Sequence, residues 1–376
     1  MGKKIVVIPA SKWQINLIKF LRANNYYVYS LDDDDKAIGH KYSNKRLKIK
    51  TSDLKKLKNF LKKDQAKILS ACSDFGEKIC NLCLNKSNVL FNKYQQRLAQ
   101  KKLNLNTPFF RKDYITKNQI KKYKKVVSKP IYGSGSQNVS IIQKSKGNIR
   151  KSKYLFEEFL KGKEYNVDGF FYYSKFYLYA IMEKKKIRKS STVSYIMKSN
   201  NLKQKNIDKI KKSLNLFFVN TKYPNGPIHA EVIYNKENDK IYIVESHPRE
   251  AGFDLYYKLC KKITGLNLLL NTLKVKLHKK INGDELKSKN KFKYYCQRMI
   301  PIKKKGEIKK AFFSKIVQHK HIKVYTNVFV KPKDIVEYKS NDGSRLGYII
   351  CLSNKVSNLE KYSKFILNKK FNLKYK

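Results

Sequence analysis

Two short hydrophobic runs, GPIHAEVIY and IYIVESHPR, flank the polar turn NKENDK, and each carries an acid, Glu231 in the first and Glu245 in the second. Runs of Ile, Val and Tyr around an Asn/Asp-containing break predict an antiparallel hairpin, and folding it there sets Glu231 opposite or beside Glu245. Two carboxylates about 5 Å apart repel by on the order of 3 kcal/mol at an effective dielectric of about 20, so a bound cation or a shared proton is the expected relief. Side chains alternate along a strand, which puts Glu245, His247 and Arg249 on one face and His229 with Glu231 on the partner's. Such a surface suits a divalent metal and the phosphates attached to it. The alternative is an ordinary strand pair with a solvated acidic face.

The 376 residues exceed what one core usually organises and predict two or three domains. No stretch approaches the roughly 18 apolar residues of a membrane span, and MGKKIVVIPAS runs straight into a strand pattern, so no membrane association and a cytoplasmic location are expected. The formal charge of +57 suggests nucleic acid, yet only 9 of the 85 basic residues are Arg, and Lys is spread from Lys3 to Lys376. Recognition surfaces show a localised stripe with Arg and aromatics interleaved; diffuse Lys attracts polyanions non-specifically, and no specific nucleic-acid partner is expected. Of the six cysteines, Cys80 and Cys83 in CNLC have no second pair at a useful distance, and all read as small apolar residues rather than a disulfide or zinc framework.

The first ninety residues predict an open α/β unit: strand KKIVVIP, helix WQINLIKFLRANN, strand YYVYSL ending in Asp32 to Asp35, and a further strand in KILSACSDF. Its first turn, Pro9-Ala10-Ser11, lacks the G-x-G-x-x-G of a dinucleotide site, and the four Asp residues read as a solvated loop. A helix then runs through NKYQQRLAQKKLNLNTPFF to Asn106-Thr107-Pro108. In KKVVSKPIYGSGSQNVSII, a strand carrying Lys129 enters Gly133-Ser134-Gly135-Ser136 and leaves as VSII. Glycines let main-chain N–H groups close around phosphate oxygens, and the Ser hydroxyls add donors; the alternative is a simple hairpin turn. In YLFEEFLKGKEYNVDGFF, two strands flank the bend at Lys161-Gly162, and the acids Glu157, Glu158 and Glu164 border an apolar hinge able to read an adenine edge and a ribose.

The order of Lys strand, glycine loop, acidic hinge and paired acids resembles the ATP-grasp superfamily over most of the chain. The fold implied is α/β, with an N-terminal Rossmann-like pre-ATP-grasp domain at 1–92, an ATP-grasp domain binding ATP and metal at 93–285, and a small C-terminal β-rich domain at 286–376. SACSD at 70–74 is similar to the family's serine and aspartate ending a central strand. Lys93 matches the helix-start Lys that reaches the nucleotide, although Asn92 stands where an Asp is common. The resemblance implies Lys129 at the phosphates, Ser134, Gly135 and Ser136 over them, and adenine contacts from Glu157 and the backbone at Phe159 and Leu160, with Glu158 beside them. It further implies ribose contacts from Glu164, metal between Glu231 and Glu245, and Arg249 on the transferring phosphate or acyl phosphate. Gln137-Asn138 replaces the usual Arg-Gly. His247 replaces a usual Asn; magnesium prefers hard oxygen ligands and imidazole softer metals, so magnesium is expected on the two carboxylates with His247 behind them or donating to a phosphate, manganese being the alternative.

FDLYYKLCKKITGLNLLLNTLKV continues as an apolar helix-like segment. From about residue 290 short strands follow, YYCQRMIPI, IKVYTNVFV, IVEYK and RLGYIICLS, then a helix at NLEKYSKFILNKKF. This resembles the small domain that covers the active site or supports a homodimer in related ligases and carboxylases. The activity implied is an ADP-forming ligase that activates a small-molecule carboxylate as an acyl phosphate and passes it to an amine. The alternatives are a carboxylase acting through carboxyphosphate, or a basic nucleic-acid-binding protein with a degenerate core. In KKKIRKSSTVSYIM, Lys184, Lys185, Lys186 and Arg188 either attract an anionic acid or form a solvated basic loop.

Overall fold

The computed structural model describes residues 3–87, 89–186, 194–316, 319–337 and 345–376. The N-terminal unit runs β1 (Lys4–Val7), α1 (Ile15–Ala23), β2 (Tyr27–Ser30), β3 (Lys45–Arg46), α2 (Leu54–Lys63), β4 (Lys67–Leu69) and α3 (Asp74–Cys83). Its sheet is parallel, in the order β3-β2-β1-β4. The apolar run of β1 is buried on both faces, as a parallel strand requires, with Leu17, Ile18 and Leu21 of α1 closing one side. Asp33 is not merely solvated: it accepts from the Thr51 N–H (2.7 Å) and hydroxyl (2.5 Å) and so ties the loop after β2 to the entry of α2.

A second unit comprises α4 (Lys93–Lys102), β5 (Phe110–Ile115), α5 (Lys117–Tyr123), β6 (Val126–Pro130), β7 (Ser140–Ile142) and β8 (Ile149–Glu158), with a four-stranded antiparallel sheet β5-β8-β6-β7. The third contains β9 (Lys163–Tyr172), β10 (Lys175–Lys186), β11 (Ser194–Ser199), α6 (Gln204–Asn220), β12 (Gly226–Asn235), β13 (Lys240–His247), a π-helical turn (Leu255–Cys260), α7 (Lys261–Thr264) and α8 (Leu268–Lys276). The chain closes with β14 (Tyr294–Pro301), β15 (Gly306–Phe313), β16 (Lys323–Val328), β17 (Ile335–Val336), β18 (Arg345–Ser353), α9 (Leu359–Lys370) and β19 (Phe371–Tyr375).

Among the described residues, strands on both sides of residue 285 build one eight-stranded sheet, β13-β12-β9-β10-β11-β14-β18-β16, while β17-β15-β19 forms a small separate one. The C-terminal segment is β-rich as expected, and three of its six described strands, β14, β16 and β18, extend the central sheet. One face of that sheet packs on α6 through Ile210, Leu214, Phe217 and Phe218; the other packs on the π-helical turn through Tyr256, Leu259 and Cys260. α8 docks Leu273 on the N-terminal core, and Lys276 reaches the Ser70 carbonyl (2.5 Å) and Glu77. No described helix is long and apolar enough to cross a membrane. All six cysteines are free thiols, four of them buried.

Candidate active site

The hairpin pairs as the alternation predicts: Glu231 faces Glu245 and His229 faces His247, with a bulge between Glu231 and Val232. Both carboxylates are met by lysines. Lys184 Nζ lies 2.8 Å from Glu231, and Lys93 Nζ lies 3.3 Å from Glu245. Burial raises the Glu231 carboxyl, with Lys184 opposing and Glu164 and Glu245 adding to the rise. Burial acts on Glu245 in the same sense, but Lys93 and His247 outweigh it and hold the acid well below the usual range. The repulsion expected between the pair is thus relieved by ammonium groups, and the two acids are pushed apart in proton affinity.

Lys93 opens α4, where Asn92 caps the helix by accepting from the Gln95 N–H (3.1 Å) and donates to the Tyr132 hydroxyl (3.0 Å). The Lys93 N–H bonds the Ile131 carbonyl (3.0 Å) and its ammonium bonds the Gly133 carbonyl, so the helix start holds the glycine loop. Gly133 and Gly135 adopt φ of 109° and 68°, the region that favours glycine. One turn along α4, buried Arg97 donates to Glu157 (2.5 Å) and to the carbonyls of Ile243 (2.7 Å) and Val244 (2.8 Å), tying α4 to β8 and β13. Lys129 on β6 pairs with the other Glu157 oxygen at 2.5 Å. Against burial, Arg97 and Lys129 hold Glu157 below its ordinary range.

The hinge leaves β8 at Glu158, where the Phe159 N–H bonds the Lys125 carbonyl (3.0 Å). Gly162 turns the chain at φ 140°, and a Cβ there would sit 2.5 Å from the Tyr234 carbonyl oxygen, so only glycine fits. Glu164 on β9 pairs with Lys184 and with Lys186 (2.5 Å), which together overcome burial and hold it at about 2. Lys184 and Lys186 are therefore strand residues paired with acids, not members of a solvated loop; Arg188 lies outside the described residues.

A cavity of about 500 Å³ lies between the four-stranded sheet and the central one, and all ten expected nucleotide contacts line it together with Glu231 and Glu245. His247 and Arg249 sit behind Glu245, outside that lining. His247 has Glu245 at 3.1 Å and Asp74 at 3.0 Å, though neither contact aligns as a hydrogen bond. Burial disfavours its charge, yet Asp74 and Glu245 prevail and raise it to about 9. Pro248 ends the strand before Arg249, whose guanidinium contacts Asp74 (2.5 and 3.0 Å) and the Glu250 carbonyl (2.8 Å). Among the described residues no three His, Cys, Asp or Glu side chains converge on a metal position. Two facing carboxylates beside a glycine loop still fit magnesium, which keeps several waters and takes one or two carboxylates plus substrate phosphates.

Sequence reasoning missed Arg97, Tyr132 and the role of Asp74 as partner of Arg249 and His247. Arg97 carried a signal: it is one of only nine arginines and stands four residues after Lys93, on the same helix face.

Residues 142–255 match the ATP-grasp domain family. Over the whole chain the structure is similar to phosphoribosylglycinamide synthetase from Anaerococcus prevotii (TM-score 0.78, 18% identity, 100% of both chains covered). The fold is ATP-grasp. It is likewise similar to L-amino acid ligase from Bacillus licheniformis (TM-score 0.79, 15% identity, 100% of this chain and 99% of that one). A third ATP-grasp similarity is to the biotin carboxylase domain dimer of 2-oxoglutarate carboxylase from Hydrogenobacter thermophilus, solved with MgADP, ADP and bicarbonate (TM-score 0.73, 11% identity, 100% and 91% covered). No curated protein matches the sequence.

Proposed function

We propose that this ATP-grasp protein is an ADP-forming ligase that activates a carboxylate as an acyl phosphate and couples it to an amine. The observation that carries the reading is the facing pair Glu231 and Glu245 at the floor of a cavity roofed by the glycine loop and Lys129. ATP lies in this cavity, its adenine against the hinge at Phe159 and Leu160 with Glu157 and Glu158 beside it, its ribose at Glu164, and its phosphates under Ser134, Gly135 and Ser136. Glu231 and Glu245 would hold magnesium, which when bound would neutralise the phosphate charge. Lys93 and Lys129 direct positive charge at the transferring group, and the sheets exclude water from it. The substrate carboxylate oxygen attacks the γ-phosphorus as the bond to ADP breaks; the amine then attacks the acyl carbon, phosphate leaves and the amine proton passes to solvent. Positioning and electrostatics carry phosphoryl transfer, so no nucleophilic side chain is needed. Arg249 acts on the transferring phosphate after exchanging part of its Asp74 pairing.

Calorimetry with MgATP at physiological salt should show binding with Kd at or below the millimolar range, about 4 kcal/mol or more. ADP release should then appear only with a particular acid and amine in a substrate screen. A folded protein showing neither heat nor thermal shift with MgATP would sink the reading; ADP release with bicarbonate alone would replace it by a carboxylase.

A further inference from the structure

We propose that Lys184 is an internal counter-ion that keeps Glu231 closed to divalent cations until nucleotide arrives, so that metal and nucleotide enter together. The inference rests on the ligase reading of the cavity and concerns how that site is guarded. Lys184 projects from β10 with its side chain only 7% exposed, and its ammonium bridges two acids from different strands, Glu164 on β9 and Glu231 on β12. Glu164 has a second cation in Lys186 (2.5 Å), whereas Glu231 has Lys184 alone among its ion-pair partners in the described residues. The ammonium stands 2.8 Å from Glu231 Oε1, within the space a metal bound to that oxygen must take. A divalent cation and an ammonium cannot share one half-buried carboxylate oxygen without strong repulsion, so metal at that oxygen requires Lys184 to withdraw. Withdrawal toward Glu164 alone leaves a net positive charge in a buried cavity, which is unfavourable until something anionic enters. The phosphates of the nucleotide supply that charge. Lys93 repeats the arrangement more loosely, 3.3 Å from Glu245 while its ammonium also engages the Gly133 carbonyl of the phosphate loop.

The probe is Mn²⁺, its unbound fraction read by electron paramagnetic resonance, with and without ADP and against protein-free samples at the same ADP concentration, whose own chelation of Mn²⁺ is subtracted. Wild-type protein should bind Mn²⁺ at least 10-fold more tightly with ADP present. Lys184→Met should bind Mn²⁺ without nucleotide at least 10-fold more tightly than wild type, Lys184→Arg should behave as wild type, and adding Glu231→Gln to Lys184→Met should abolish the gain. Equal Mn²⁺ affinity in wild type and Lys184→Met overturns the proposal, as does a gain that survives Glu231→Gln. Should Lys184→Met fail to fold by circular dichroism, the wild-type comparison decides, since nucleotide-independent Mn²⁺ binding there contradicts a closed Glu231. Failure of the wild type to bind any nucleotide counts against the ligase reading instead, and the Mn²⁺ comparison between Lys184→Met and wild type then judges the lysine by itself.

Discussion

At the scale of single residues the site is a set of acids, Glu157, Glu164, Glu231 and Glu245 each paired to a cation, and the pairs differ in what their loss would do. Glu245→Gln removes one negative charge with little change of shape, so it should lower ADP release by at least 10-fold, about 1.4 kcal/mol in the barrier, wherever chemistry limits turnover. Unchanged turnover at subsaturating magnesium would show that Glu245 is not a metal ligand. Arg97 holds a different place. It joins Glu157 to the backbone of β13 in a position 1% exposed, so Arg97→Met strands two carbonyls and half of a buried carboxylate's pairing. Breaking a buried pair of this kind costs about 3 kcal/mol, and urea unfolding should register it. A loss below about 1 kcal/mol would mean that the cluster around Glu157 relaxes without Arg97.

Elements explain what was legible in the chain and what was not. The hairpin β12/β13 was readable because its alternation and its two acids constrain register together, and a slip by one residue would turn Glu231 and Glu245 away from each other. The cavity contacts were readable for the same reason: Lys, glycines and acids at ordered intervals leave few folded arrangements. By contrast, the apolar run from Phe253 to Val275 looks like one helix, and in the structure it is a π-helical turn, α7 and α8. Gly265, at φ 69°, is the stop signal that the hydrophobicity masked. KILSACSDF similarly yields strand only to Leu69, because Ser73 caps α3 by accepting from the Gly76 N–H. α6 had readable helical spacing at Ile210, Leu214, Phe217 and Phe218, but its Lys- and Asn-rich exposed side blends into the composition of the whole chain. Partnerships such as Asp74 with Arg249, 175 residues apart, depend on how units dock, and no local pattern announces them. The loop after β2 offers a pH test. Hydrogen bonds from Thr51 hold the Asp33 carboxyl below its ordinary value of 3.8, so its stabilising contribution is present above that pH and is lost as pH falls through the lower folded-state value. The stability difference between wild type and Asp33→Asn should therefore be largest near neutrality and shrink below about pH 4; a difference independent of pH in acid melts would contradict it.

For the whole molecule, the excess of Lys is spread over every unit and the cavity acids consume only a few of its charges. Duplex or single-stranded nucleic acid should bind weakly at about 0.15 M salt, with steep salt dependence and no preference among sequences. Sub-micromolar, sequence-selective binding in a fluorescence titration would restore the recognition alternative.

The central sheet that crosses residue 285 has a practical consequence for anyone dissecting the protein. β14 supplies the hydrogen-bonding neighbour of β11, and β18 that of β14, so a chain cut after residue 285 would present the open edge of β11 to solvent. Unpaired edges of this kind recruit other chains. A fragment ending there should be recovered as aggregate, while co-expression with residues 286–376 should return soluble material, because segments that read as separate modules share the strands of one sheet.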